Sequence, residues 1–155
     1  MRVSRRVTTL ASFLAVVTGG GINGFAGPAS FAVVDGDTVH LDRESYRLLG
    51  IDAAEIHRAQ CDAERRLGEL TKHRLETLLK AGAVSVFPDP PTKRDKYGRL
   101  LVRLIVNGED VACVLIREGY ARPWRGRRED WCTEISLSQQ DDAEPEACTS
   151  TASVR

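Results

Sequence analysis

The chain has 155 residues, of which 42% are hydrophobic and 28% are charged, and this is the composition of an ordinary globular domain with extensions. Such a composition excludes a fibrous protein, a repeat array and a disordered acidic chain. The 22 basic and 22 acidic side chains balance. That balance at first argues against a nucleic-acid-binding protein, because phosphate contacts usually leave a basic excess.

The balance conceals an uneven distribution of charge along the chain. Residues 1–32 carry three arginines and no acid, whereas residues 133–155 carry five acids and one arginine. Basic side chains cluster at 93–99 and again at 122–128. Because a phosphate ligand responds to the local field and not to the net charge, the balance of charges does not exclude a nucleic-acid partner.

The two ends of the chain read as extensions of a central domain. A basic stretch precedes a short apolar run at 7–17 and then small residues, so we expect residues 1–26 to be a signal peptide or an uncleaved N-terminal anchor. The protein is then exported, either to the periplasm or out of the cell. Residues 133–155 lose apolar periodicity and predict an acidic, disordered tail.

The segment 27–132 carries the patterns of one folded domain, taken here in chain order. Three β-rich runs at 31–34, 38–41 and 46–51 predict strands. Leucines at helical spacing then predict a long helix from a cap at Asp62 to about Lys80.

The second half of the domain adds two strands and a shorter helix. The strands are predicted at 83–87 and 99–106, and the helix at 111–118 is ended by Gly119. The order β-β-β-α-β-β-α predicts an α+β, mainly β fold, namely a five-stranded barrel with one long and one short packed helix.

Four carboxylates lie near the predicted turns and strand ends: Asp35, Asp37, Asp52 and Glu55. Oxygen ligands of this kind suit Ca²⁺ or Mg²⁺, and no spacing of Cys or His suits zinc. By themselves, however, acidic turn residues most often cap or solvate the chain.

Two arginines strengthen the case for a site. Arg47 interrupts an apolar run, where a charge is costly without an anionic partner, and Arg99 opens a later strand. Guanidiniums neutralise the charge on phosphoryl oxygens, and so does a metal ion held by carboxylates. A further carboxylate can activate the attacking water. These are the groups that phosphodiester hydrolysis needs.

Four stretches resemble the staphylococcal nuclease (thermonuclease) family: VVDGDTVHL at 33–41, YRLLGIDAAE at 46–55, DKYGRLLVRL at 95–104 and NGEDVACVLIREGYAR at 107–122. The resemblance implies an oligonucleotide-binding (OB) barrel. It also implies a Ca²⁺-dependent nuclease that cleaves DNA, and RNA as a second substrate, with little sequence preference. Water would attack in line and leave a 3′-phosphate.

The resemblance also implies a role for each matching residue. It assigns one Ca²⁺ ion to Asp37, Asp52 and the carbonyl of Ala53, catalysis to Arg47, Glu55 and Arg99, and a terminal phosphate of the bound nucleotide to Lys96 and Tyr97. Asp35 becomes an acidic neighbour of the ion. The family usually has a proline just before the glutamate, whereas this chain has Ala53-Ala54, so we expect a less preorganised loop.

The cysteines at 61, 113, 132 and 148 allow three full pairings in an exported protein. We favour Cys61–Cys132, which would pin the end of the domain, and interpret Cys113 as a buried or half-buried thiol.

Two other functions remain open from the sequence. One is a non-catalytic OB module that only holds single-stranded nucleic acid, using basic segments such as 122–128. The other is an exported interaction domain with an acidic tail. No protein partner is implied, and we expect a monomer.

Overall fold

The computed structural model describes residues 31–41, 43–89 and 93–133, together with Cys148. The predictions for residues 1–26, and for the tail apart from Thr133 and Cys148, lie outside this part of the chain. Within it, neither helix combines the length and the apolar character that a membrane span requires.

The elements follow one another as β1 (Phe31–Asp35), β2 (Thr38–Leu41), β3 (Glu44–Leu48), β4 (Ile51–Ala53), α1 (Asp62–Lys80), β5 (Val84–Pro88), β6 (Leu100–Val106), β7 (Glu109–Asp110), α2 (Val111–Arg117) and β8 (Ala121–Pro123). Both predicted helices are confirmed. The strands predicted around 31–34, 38–41, 83–87 and 99–106 are confirmed to within one residue at each end. The short strands β4, β7 and β8 were not predicted.

The main sheet has the strand order β1-β2-β3-β6-β5, with β7 paired to the end of β6. The β3–β6 pair is parallel and the other pairs are antiparallel. A separate antiparallel ribbon joins β4 to β8. The architecture is therefore α+β with two helices and a mostly open, mixed sheet, and the predicted closed five-stranded barrel is not shown.

The predicted single strand at 46–51 is wrong, because it breaks into β3 and β4. Gly50 has φ +80°, a left-handed conformation that glycine adopts without strain. The turn at Gly50 is held by its carbonyl, which accepts a hydrogen bond from the Trp124 N–H at 2.9 Å. This break directs Asp52 toward β8 and away from the main sheet.

Helix α1 lies across the β1–β2 turn. Its buried stripe consists of Glu64, Gly68, Thr71, Leu75 and Leu79. A Cβ atom added to Gly36 in the turn would lie 2.6 Å from the Thr71 methyl carbon, so the turn rests directly on the helix. Apolar side chains from the strands and the helices fill the core, among them the fully buried Val39 of β2, Val102 of β6 and Leu115 of α2.

The helix begins one residue earlier than expected, because Cys61 and not Asp62 is its N-cap. The Cys61 sulfur accepts a hydrogen bond from the Glu64 N–H at 3.4 Å. Asp62 instead pairs with Arg65 at 2.8 Å on the exposed side of the helix.

Two disulfides link the described residues. The predicted Cys61–Cys132 bridge is confirmed. The prediction of a Cys113 thiol is wrong, since Cys113 is bonded to Cys148. Cys113 lies only half-buried on α2, where a second sulfur can reach it.

Candidate active site

Acidic side chains from the β1–β2 turn and from β4 converge beside α1. Asp35 and Asp37 flank Gly36 in the turn, while Asp52 lies within β4 and Glu55 just after it. Asp37 and Asp52 are buried. Burial is the main effect that raises the pKa of Asp52, and the negative charge of Asp37 adds to it.

Both predicted arginines reach Asp37. Arg47 forms an ion pair with the Asp37 Oδ2 through its NH1 and donates a hydrogen bond from its NH2 to the Ile51 carbonyl at 3.3 Å. The Arg99 NH1 lies 3.9 Å from the Asp37 Oδ1. The two guanidiniums therefore meet at one carboxylate, although Arg47 lies on β3 and Arg99 lies in the segment just before β6.

Arg99 is held in place by its own turn. Its Nε and NH2 contact the Asp95 carboxylate at 2.8 and 2.7 Å, and its NH1 donates to the Thr38 hydroxyl at 2.7 Å. The Thr38 hydroxyl in turn donates to the Asp37 Oδ1 at 2.7 Å. Because few rotamers satisfy all these contacts, the Arg99 side chain is held in one orientation beside Asp37.

Asp52 is the most buried of the four carboxylates, with 1% of its surface exposed. Its Oδ2 accepts hydrogen bonds from the Glu129 N–H and from the Trp131 indole N–H, each at 3.0 Å. Its Oδ1 is buried and has no hydrogen-bond partner among the described residues. Burial raises the pKa of Asp52, and the two hydrogen bonds to Oδ2 act in the opposite direction.

The orphaned Asp52 oxygen supplies a test of whether the site suits a cation. A buried carboxylate oxygen without a donor is costly unless a positive charge compensates it. Asp37 and the Ala53 carbonyl add oxygen ligands of the type that Ca²⁺ and Mg²⁺ prefer. The described residues contain no group of three or more acidic, His or Cys side chains arranged to hold a metal. A cation here would therefore need water or phosphate oxygens to complete its coordination.

The loop carrying Glu55 is fixed by α1, although the expected proline is absent. The buried Glu64 carboxylate accepts hydrogen bonds from the Glu55 N–H at 3.3 Å and from the Gln60 N–H at 2.7 Å. Gly68 lets the loop approach, since a Cβ there would lie 2.9 Å from the carbonyl oxygens of Ala54 and Glu55. The helix thus supplies a restraint that the sequence pattern did not reveal.

Arg128 belongs to the basic segment 122–128, and its side chain enters the site. Its NH1 pairs with the Glu55 carboxylate, and its NH2 donates to the Ala53 carbonyl at 3.2 Å. Its Nε lies 3.9 Å from the Asp52 Oδ1. No periodicity signals this role, because Arg128 is 73 residues from Glu55 along the chain.

Lys96 and Tyr97 extend the site to its exposed edge. Tyr97 is 58% exposed. Lys96 Nζ lies 5.0 Å from the centre of its ring, and the guanidinium carbons of Arg99 and Arg58 lie at 5.3 and 5.8 Å. A hydrogen bond with Lys96 lowers the pKa of the Tyr97 hydroxyl.

A second exposed ring, that of Trp124, lies beside Arg47. Trp124 is 43% exposed. The Arg47 guanidinium carbon lies 5.7 Å from the centre of the Trp124 ring. The two phosphate-binding candidates, Arg47 and Arg99, therefore each have an accessible aromatic neighbour.

The site thus consists of two guanidiniums beside buried carboxylates on a small α+β domain, an arrangement that can hold an anion next to a cation. The sequence model described as staphylococcal nuclease homologue matches residues 45–147. The chain belongs to this family, as its motifs indicated.

Curated relatives cover the same region. Endonuclease YncB of Bacillus subtilis is 32% identical over 93 residues, which are 57% of this chain and 44% of that protein. The SPbeta prophage-derived endonuclease YokF of the same species is 34% identical over 93 residues, 57% of this chain and 31% of the relative. The uncharacterized protein MJ1439 of Methanocaldococcus jannaschii is 34% identical over 114 residues, 58% and 55% of the two chains. The chain thus spans less than half the length of the first two relatives.

Proposed function

We propose that the protein is a nuclease that hydrolyses phosphodiester bonds of DNA, and of RNA as a second substrate, with little sequence preference. One observation carries the proposal: Arg47 and Arg99 converge on Asp37, beside the partnerless buried oxygen of Asp52. Family membership and the endonuclease names of the two Bacillus relatives support it.

The arginines act on the phosphate in this proposal. Each guanidinium donates to non-bridging phosphoryl oxygens and stabilises the negative charge that develops there during in-line attack. Glu55 lies at the rim of the site, with 16% of its side chain exposed, where it can accept a proton from the attacking water. The family resemblance adds the expectation that the products carry a 3′-phosphate.

The proposed cofactor is one Ca²⁺ ion. Asp37, Asp52 and the Ala53 carbonyl would hold it, and Asp35 would lie nearby as an acidic neighbour. When bound, the ion would neutralise charge on the phosphoryl oxygens. The same oxygen ligands also suit Mg²⁺, so activity has to be compared between the two ions.

Lys96 and Tyr97 are proposed to bind the terminal phosphate of the substrate. The exposed position of Tyr97 and the cations around its ring support this role. Because these residues lie beside Arg99 and outside the carboxylate cluster, they would affect substrate affinity more than the chemical step.

We further propose that the protein is exported and acts as a monomer. Two disulfides support export, because such bonds persist in oxidising compartments. Recovery of disulfide-bonded protein from the periplasm or the medium is the expected result. Recovery from the cytoplasm alone would contradict export.

The function is tested with the purified protein on end-labelled single- and double-stranded DNA, with Ca²⁺, with Mg²⁺ and with a chelator. Glu55→Gln removes the proton acceptor and is expected to slow cleavage about 10²- to 10⁴-fold while DNA binding persists. Arg99→Ala is expected to lose about 10²-fold or more, because one stabilising donor is removed. Arg103→Ala is the matched control, because Arg103 lies on β6, the strand that follows Arg99, and is paired with Asp110 at 3.9 Å; it is expected to keep its activity.

Each outcome bears on a different part of the proposal. Cleavage by Glu55→Gln at the wild-type rate would contradict the role of Glu55. Binding without cleavage in both Ca²⁺ and Mg²⁺ would contradict the nuclease and favour the non-catalytic binding module. Cleavage in the presence of the chelator would contradict the cation requirement.

A further inference from the structure

Arg128 occupies the centre of the proposed site and needs an explanation of its own. Its guanidinium reaches the proposed proton acceptor Glu55, the proposed ligand carbonyl of Ala53 and the vicinity of the orphaned Asp52 oxygen. A positive charge therefore already lies at the groups that a divalent cation and the attacking water would use.

The contacts of Arg128 with these groups are unequal. The pair with Glu55 is a direct contact, and the Ala53 carbonyl accepts at 3.2 Å. The distance of 3.9 Å from Nε to the Asp52 Oδ1 is too long for a hydrogen bond. Arg128 thus compensates the charge of Asp52 from a distance without satisfying its oxygen, and that oxygen stays available to a smaller, divalent cation.

The backbone around Arg128 is held independently of its side chain. On its C-terminal side, the Glu129 N–H and the Trp131 indole both donate to Asp52, and Cys132 is bonded to Cys61. The Arg128 side chain is itself 44% exposed. It can therefore leave the site by a change of rotamer while the surrounding segment stays in place.

We propose that Arg128 is an internal cation that competes with the divalent ion and is displaced when that ion binds. With Arg128 in place, Glu55 is neutralised by an ion pair and the Ala53 carbonyl is occupied, so the site is held closed to water activation. Displacement frees both groups and leaves a third guanidinium beside the phosphate-binding arginines. The inference rests on the proposed function, because it requires a cation that binds Asp52 and Ala53.

The test measures Ca²⁺ affinity, not activity. Ca²⁺ is titrated calorimetrically into the wild-type protein, Arg128→Met, Arg128→Lys and Arg127→Met. Arg128→Met keeps an unbranched apolar side chain in place of the aliphatic part of arginine and removes the guanidinium with its charge. Arg127→Met is the matched control, since it removes one charge from the exposed neighbouring residue.

Competition between Arg128 and Ca²⁺ predicts a specific order of Ca²⁺ affinities among the variants. Arg128→Met is expected to bind Ca²⁺ about fivefold or more tightly than wild type, at the lower end of typical coupling between two ligands. Arg128→Lys is expected to fall between them, because an ammonium group cannot hold Glu55 and Ala53 together in the forked manner of a guanidinium. Arg127→Met is expected to change the affinity by less than about twofold, since an exposed charge is largely screened.

A second readout follows the side chain directly. In ¹⁵N-labelled protein, the Nε–Hε resonance of Arg128, identified by its loss in Arg128→Met, is expected to move to the position of a solvated arginine as Ca²⁺ is added. Unchanged or weaker Ca²⁺ binding by Arg128→Met would overturn the inference and leave the nuclease proposal standing. Absence of Ca²⁺ binding by all four proteins would overturn the proposed cofactor and the inference with it.

Discussion

At the scale of single residues, the carboxylates of the site are buried where their negative charge is unfavourable, and Asp35 shows this best. Burial is the largest effect on Asp35 and raises the pKa of its carboxyl to about 6, with smaller contributions from Asp37 and Glu55. The Gly36 N–H, which donates to Asp35 at 3.0 Å, opposes the shift. Asp35 thus opposes folding whenever it is ionised.

The first prediction concerns the pH dependence of stability. The pKa of Asp35 in the folded protein, about 6, exceeds the ordinary aspartate pKa of 3.8. Between these two pH values the folded state binds more protons than the unfolded state, so the free energy of unfolding falls as pH rises. Above about pH 6 the full destabilisation by ionised Asp35 is present. Asp35→Asn is expected to stabilise the protein by about 1–2 kcal/mol near pH 8, after allowance for solvent screening. The gain is expected to vanish near pH 4.

This prediction is checked by denaturant unfolding in the presence of a chelator, so that bound cations do not contribute. The control is Glu69→Gln on the exposed side of α1, expected to change stability by less than about 0.5 kcal/mol at either pH. A gain of the same size at both pH values would attribute the effect of Asp35→Asn to packing and not to charge.

At the scale of elements, local patterns predicted what is locally determined. The leucine spacing of α1 and the alternating burial of β6 are properties of contiguous sequence, and both elements are where they were expected. The β4–β8 ribbon places Asp52 opposite Arg122. Its two strands are short and lie far apart in the chain. Neither is long enough to show a periodic signal, so the open arrangement of the strands could not be predicted.

The Glu55 loop shows how one element fixes another, and Gly68 tests it. Helix propensity alone would make Gly68→Ala stabilising by about 1 kcal/mol. The added Cβ would instead lie 2.9 Å from two backbone carbonyl oxygens of the loop. We expect a net destabilisation of about 1–3 kcal/mol, because backbone atoms must shift. A Glu69→Ala control on the exposed face should change little, and a stabilised Gly68→Ala would show that the loop retreats without cost.

At the scale of the whole molecule, the site is closed by contacts that cross most of the chain. The sequence motifs identified the carboxylates and the two arginines, Arg47 and Arg99, because these residues fall in contiguous stretches that match the family pattern. The segment 128–132 carries no such motif. Its contacts with Asp52 and Glu55 depend on tertiary folding over more than 70 residues, and only the favoured Cys61–Cys132 pairing pointed to them.

The last prediction separates the two disulfides by what each one holds. The Cys61–Cys132 disulfide joins residues 71 positions apart, and the Cys113–Cys148 disulfide joins residues 35 positions apart. Each can be removed by replacing both of its cysteines with serine. Chain entropy makes both losses similar, about 4 kcal/mol each. Only Cys61–Cys132 lies next to the residues that donate to Asp52. We therefore expect hydrogen exchange at the Glu129 amide and the Trp131 indole to accelerate more in the Cys61→Ser/Cys132→Ser variant than in Cys113→Ser/Cys148→Ser. Equal acceleration in both variants would mean that these protons exchange by global unfolding, so that the disulfide stabilises the domain without specifically holding the segment over Asp52.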